Sequence, residues 1–385
     1  MVGIRLLMTT DPPFDATAAL QRLRLAFAAI PDRRQPGKID HRLDEILAGS
    51  LCSMLCGFGY FTSIAEFFCL QIDWLRGFLP LEKGPPSHDV IRNAFMAVKP
   101  EALVEILTVW VGDLDGTHVA IDGKVQRSAL CAGGAVHVLR AWVNELSLSA
   151  GQAACAAKSN EIEAIPRLLD SLQLKGATVT IDAAGCQTAI AAQIDDGGGA
   201  YVLALKANQP QALAAVSAHF DSNPAGLDRH ATEERSRGRY EKREYSIQSD
   251  LSWFGKSWKW QGLKSVGHVR RTTVRPGGSG ADGREALVED SYFLCSIEAD
   301  AKRFAELARG HWGVENRCHW TLDVTFGEDL CGTRDATASR NLSTLREMAI
   351  GLLRAHPSKK TLPLKQLQAT LDPDFRLRLL ANFHA

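Results

Sequence analysis

The chain has 385 residues, 45% of them hydrophobic, which is enough for about two to three domains with a sizeable core. Its 44 Lys/Arg balance 44 Asp/Glu, and the isoelectric point is near 7.2. These values exclude a uniformly basic nucleic-acid coat, an acidic solvating tail and a mainly disordered chain. They leave room for a nucleic-acid enzyme that keeps its basic residues apart from its acidic ones.

The first ~110 residues read as helical. Leu20, Leu23 and Phe27 share a face, and Ile30-Pro31 ends that run. Leu43, Ile46, Leu47 and Leu51 repeat the pattern, as do Ile64, Phe67, Phe68 and Leu75. The uncharged stretch from Ile46 to Ala65 is long enough to span a bilayer, but Gly57-Phe58-Gly59 interrupts it. It reads as buried helices around a turn. Ser87 or Asp89 is expected to cap the helix after Pro85-Pro86. Residues 1–15 carry Arg5, Asp11 and Asp15 and no long apolar run, so no secretory leader is expected. The nine cysteines are scattered without a C-x-x-C pair, which fits a reducing cytosol and argues against a zinc ribbon.

The texture changes near residue 117. His118 to Asp122 is a short β-branched run ending in an acid, and Ala177 to Asp182 is another. Strands are expected at Val136–Val143, Gly151–Ala157 and Tyr201–Leu205, with helices at Glu161–Leu172 and Thr188–Ile194. This alternation predicts an α/β layer fold. Residues 229–275 then hold twelve Lys/Arg against five acids, interleaved with Tyr245, Trp253, Trp258 and Trp260. The stretch reads as a β-rich insertion with a hairpin tip at Pro276–Gly283. Helix returns near Ala301, and Arg340 to Arg378 has eight basic residues against three acids. The neutral total therefore conceals two basic regions. Four segments result: a helical 1–112, a first core part at 113–206, a basic insertion at 207–298, and a second core part with a basic helical tail at 299–385.

Asp122 and Asp182 each stand where a buried strand runs out. They are either ordinary turn residues or hard oxygen ligands for Mg²⁺ or Mn²⁺ at a sheet's carboxyl edge. The densest motif is Arg309-Gly310-His311-Trp312-Gly313-Val314-Glu315-Asn316-Arg317-Cys318-His319-Trp320. On an α-helix His311, Glu315 and His319 would share a face, although H-E-x-x-H is absent. Trp312 and Trp320 are read as core residues in preference to nucleotide platforms. Glu315, an acid among aromatics, would need a metal or an arginine such as Arg309 or Arg317 to be buried.

Val119-Ala120-Ile121-Asp122-Gly123-Lys124 with Arg127, Lys158-Ser159-Asn160-Glu161, Thr180-Ile181-Asp182-Ala183 and Leu205-Lys206-Ala207-Asn208-Gln209-Pro210 resemble the core of the H-repeat-associated transposases. His311 to Asn316, His319-Trp320, Leu322 to Phe326 and Glu328-Asp329 extend the likeness, as does the helical N-terminal region. The resemblance spans about residues 15 to 355. It implies an insertion-sequence transposase with an RNase H-like core, a mixed sheet with flanking helices, and a D-D-E triad of Asp122, Asp182 and Glu315. It also implies a Mg²⁺ cofactor (Mn²⁺ substituting), DNA as partner, a homodimer on DNA, and a cytoplasmic, nucleoid-associated location. The Y-x2-R-x3-E-x6-K pattern of related groups is absent: its positions hold Ala308, His311, Glu315 and Leu322.

Lys124, Arg127 and Lys206 flank the acids and are candidate phosphate contacts or plain surface charges. Asn208 and Gln209 are candidate DNA contacts or turn formers. Arg237, Arg239 and Arg243 of the insertion fit phosphate binding, with Arg309, His311 and Asn316 beside the glutamate. A silent DNA-binding relic and a nuclease without strand joining are the other function classes.

Overall fold

The computed structural model describes residues 16–131, 134–155, 161–236, 239–255, 259–276 and 284–383. Six helices come first: α1 (Ala16–Ala28), α2 (Leu43–Leu55), α3 (Phe61–Leu70), α4 (Ile72–Arg76), α5 (His88–Ala97) and α6 (Pro100–Val111). The expected break in the uncharged stretch is there: Gly57, at φ 87°, turns the chain between α2 and α3. That conformation carries no Cβ penalty in glycine. α2 is buried along its whole length, and its two first-turn acids are engaged. Arg42 donates to Asp44 at 2.9 Å, and Glu45 accepts from the Leu81 amide at 3.2 Å. No helix among the described residues is long and apolar enough to cross a membrane. Ser87 caps α5, accepting from the Val90 amide.

The rest builds one nine-stranded mixed sheet. Its strands are β1 (His118–Cys131), β2 (Gly134–Val143), β3 (Leu148–Cys155), β4 (Thr178–Ile181), β5 (Ala200–Leu205), β6 (Asp228–Ser236), β7 (Arg239–Gln248), β8 (Ser265–Pro276) and β9 (Arg284–Cys295). They lie in the order β3-β2-β1-β4-β5-β9-β8-β7-β6. The helices between and after them are α7 (Glu161–Asp170), α8 (Thr188–Asp196), α9 (Pro210–Asp221), α10 (Ala301–Gly310), α11 (Ala336–Ala355), α12 (Leu362–Leu371) and α13 (Pro373–Leu380). The period-two alternation of strands decides the layering. Val119, Ile121, Leu139, Ala141, Val179 and Ile181 pack with α7 and α8 in one core. Ala120 and Trp142, one residue out of phase, join α11 and the N-terminal helices in the other. Asp122 and Thr180 share this second phase, which fixes the side of the sheet on which chemistry is possible.

The insertion differs from its sequence reading in three ways. It opens with a helix, α9, and its last strand β9 pairs antiparallel with β5, so it continues the core sheet. Its aromatic residues turn inward: Tyr245 and Trp260 are buried, and Trp253 stacks on His219 with ring centroids 3.8 Å apart. Much of its positive charge is matched across strands. The β8–β9 register sets Arg270 against Asp290 and Arg271 against Glu289, and both pairs are bridged. Those acids lie beyond residue 275, so a linear count misses them. The tip at 277–283 lies outside the described residues.

The C-terminal tail also spends its charge internally. Arg346 and Arg376 are each only 1% exposed. Arg346 donates to the Gly59 carbonyl at 2.8 Å, and Arg376 lies 4.2 Å above the Trp74 ring. Lys365 donates to the carbonyls of Leu353 and His356. These cations cap and stack as packing elements, not as a free basic surface.

Candidate active site

β1 and β4 are parallel neighbours in register from His118↔Thr178 to Ile121↔Ile181. The next residues, Asp122 and Asp182, therefore stand side by side at the carboxyl edge of the pair. Asp182 also caps a short 3₁₀ turn, accepting from the Ala184 amide at 3.0 Å. That bond leaves its second oxygen free. Glu315 comes from the segment after α10, where residues 314–319 and 321–325 are π-helical. Single π turns widen a helix and often mark functional positions. All three acids line one cavity of about 510 Å³. It adjoins a larger cleft of about 1160 Å³ that runs along β7–β9 and α10, and Lys206 and Trp312 line both.

The electrostatics fit a site whose acids repel one another. Burial pushes the Asp122 carboxyl up to about 6, and the nearby carboxylates of Asp182, Glu161 and Glu315 add to the rise. Such mutual repulsion is what a divalent cation relieves. Hard carboxylate oxygens on three separate elements are a donor set suited to Mg²⁺. Among the described residues, however, no three donors close tightly round one point. The acids share a cavity but do not form a finished cage. Glu315 is exposed, so the sequence expectation that it must be buried against a partner is corrected.

Histidines support the acids from below. Asn144 donates to His118 Nδ1 (3.0 Å), His118 Nε2 donates to Thr180 Oγ1 (2.8 Å), and the hydroxyl donates to His311 Nδ1 (3.1 Å). This direction of donation is the one that satisfies every member. Burial holds His118 down to about 3 and lowers His311 as well, so both rings are neutral. The chain locks the start of the glutamate segment onto β4. His319 Nδ1 lies 3.6 Å from Asp122 Oδ2, and burial holds its ring well below the usual imidazole range. The His311–Glu315–His319 series thus faces the two aspartates, on a wider helix than expected.

Residues 110–352 match the family described as Transposase DDE domain, and residues 25–111 match the one described as DDE_Tnp_1-associated. The chain belongs to the DDE transposase family. A putative transposase, YncI, of Escherichia coli O157:H7 is 35% identical over 87% of this chain and 88% of its own length. An H repeat-associated putative transposase, YhhI, of Escherichia coli (strain K12) is 33% identical over 94% and 98% respectively. An uncharacterized protein in the dhlA 3′ region of Xanthobacter autotrophicus is 39% identical over 65% of this transposase and 88% of its own length.

The structure redistributes the candidate DNA contacts of the transposase. Lys124 is corrected: it is 8% exposed, with Nζ 2.5 Å from Asp323 and 2.6 Å from Glu328, so its charge is already paired. Asn208 donates to the Ala183 carbonyl (2.6 Å) and Gln209 to that of Cys186 (3.0 Å), so both brace the loop after Asp182. Arg243 is bound by Glu241, and Arg309 donates to Glu234 at 2.5 Å, tying α10 to β6. His311 is a neutral anchor. Asn316 donates to the Trp312 carbonyl and remains exposed, as does Arg239. Arg127 belongs to β1, and Arg237 lies outside the described residues. Lys206 and Arg317 line the larger cleft, and their side chains have no acidic partner among the described residues. Trp312 and Trp320 are each 57% exposed, which overturns their assignment to the core. The sequence reading did not single out His137, because nothing in linear spacing places it behind Gly123, next to Asp122.

Proposed function

We propose that this transposase cuts DNA at the ends of an insertion sequence and joins the freed 3′-hydroxyl to target DNA. The observation that carries the reading is the register that sets Asp122 beside Asp182, with Glu315 lining the same cavity. Asp122, Asp182 and Glu315 would hold Mg²⁺, or Mn²⁺ in its place. When bound, such ions activate the attacking oxygen and stabilise the leaving one in an in-line displacement. The chain's own residues supply the setting. Lys206 and Arg317, without an acidic partner among the described residues, offer cations to the phosphates in the adjoining cleft, and the exposed Trp312 ring offers a flat face to a base. Holding two element ends calls for at least two copies of the chain, so we also propose a homodimer on DNA. As a DNA-acting protein it would work at the nucleoid, in the cytoplasm.

The test uses linear DNA carrying the element's ends, with Mg²⁺ or Mn²⁺. Cleavage and joined product are expected from the unaltered protein and neither from Asp122→Ala, Asp182→Ala or Glu315→Ala. Undiminished cleavage by the Glu315 variant would remove that residue from the site. Nicking without any joined product identifies a nuclease, and binding without cleavage in either metal identifies a silent relic.

A further inference from the structure

The pairing of β1 with β4 stops at Ile121↔Ile181. From Asp122 onward β1 pairs, among the described residues, only with β2, so the backbone of the peptide that carries the first acid has one open edge. The residue after it is glycine, the one with most backbone freedom. Something must hold Asp122 still.

Gly123 faces α7, out of phase with Asp122. The space its missing side chain leaves is filled by the His137 ring of β2 and the Glu161 carboxylate at the start of α7; a Cβ on Gly123 would overlap both. His137 and Glu161 are 2% and 6% exposed. His137 Nε2 lies 2.6 Å from Glu161 Oε1, a close contact that is not a well-angled hydrogen bond, and neither ring nitrogen has another partner among the described residues. On the opposite face His319 approaches the Asp122 carboxylate.

The geometry points to Glu161 and His137 as positioning residues that clamp the Asp122–Gly123 peptide and so set the affinity of the site for its divalent cation. This rests on the reading of Asp122 as a metal ligand. Glu161 also places a fourth negative charge near the acids, and buried behind Gly123 it favours a cation without needing to touch one. Residues one shell away from a metal typically change its affinity 10–100-fold when altered.

The test is Mn²⁺ titration of the full chain, reading free Mn²⁺ by electron paramagnetic resonance, alongside metal-free thermal unfolding. Glu161→Gln keeps the volume and removes the charge; His137→Gln removes the ring. Each should weaken Mn²⁺ binding about tenfold with little change in the metal-free melting temperature. The double variant should be no worse than either single, because both act on one peptide. Glu161→Asp should recover part of the loss. If Glu161→Gln fails to fold, His137→Gln reports on the same clamp. Unchanged Mn²⁺ affinity in both single variants, with binding lost in Asp122→Asn, overturns the clamp and leaves the acid assignment standing. Unchanged binding in Asp122→Asn removes the acid assignment and the clamp with it. Fully additive losses in the double variant overturn the shared route.

Discussion

Lys124 and Glu328 are 204 positions apart in sequence and form a buried ion pair of 2.6 Å. Glu328 is 1% exposed, and its second oxygen accepts from Ser343 of α11. Ser343 in turn accepts from Arg140 of β2, whose guanidinium donates to Glu347 at 2.6 Å. β1 and β2 are thereby bolted to α11 through a buried network of opposite charges. Removing Lys124 takes the nearest cation from a buried carboxylate, so Lys124→Met should cost about 3–5 kcal/mol of stability. Chemical denaturation of the variant measures it.

The same pair makes an acid-stability prediction. Despite burial, Arg140, Lys124 and Arg346 hold the Glu328 carboxyl down at about 2. A carboxyl depressed in the folded state stabilises it above its unfolded value of 4.5, and that contribution is lost as pH falls towards 2. Glu328→Gln should therefore flatten the decline in melting temperature between about pH 4.5 and pH 2.

Asp122 behaves in the opposite sense. Its folded carboxyl titrates near 6, above the unfolded value of 3.8, so ionising it costs stability as pH rises through that interval. The cost persists above pH 6 unless a cation relieves it. Asp122→Asn should raise the metal-free stability at pH 7.5 by about 1–2 kcal/mol, discounted for its partial exposure. Mg²⁺ is expected to stabilise the unaltered protein further at pH 7.5 and to leave Asp122→Asn unchanged. Thermal scans at pH 5 and pH 7.5, with and without Mg²⁺, check both.

Charges free to meet phosphate should dominate salt dependence. Lys206→Ala and Arg317→Ala should each lower the slope of log K against log salt by about one. Arg270→Ala and Arg271→Ala, whose guanidinia are held by Asp290 and Glu289, should change it much less. Binding to a fixed DNA duplex over a range of salt concentrations distinguishes the two groups.

Exposure separates Trp312 from the tryptophans that pack the core. Trp312→Ala should leave the melting temperature nearly unchanged and weaken binding of single-stranded or distorted ends by about 1–3 kcal/mol. Trp142→Ala, at a fully buried ring, should cost about 3–5 kcal/mol of stability. Unfolding and binding measured on both variants give the comparison.

Local pattern made much of this transposase legible. Short apolar, β-branched runs marked the strands that carry Asp122 and lead to Asp182, although β1 continues to Cys131, past Asp122 where the sequence reading ended it. The 3–4 spacing marked the N-terminal helices, and the mixed α/β class followed from the order of strands and helices. What the sequence could not settle was partnership. Lys124 reads as a free cation until Glu328 arrives from 204 residues away. The basic run at 229–275 reads as a DNA footprint until β9 lays Asp290 and Glu289 across from it. Trp312 reads as a core residue until the turn that ends α10 leaves it exposed beside the cleft. The neutral charge total was fixed by composition. Which charges are free depends on strand register and helix packing, because a charge is cancelled by proximity in space and proximity is what folding creates.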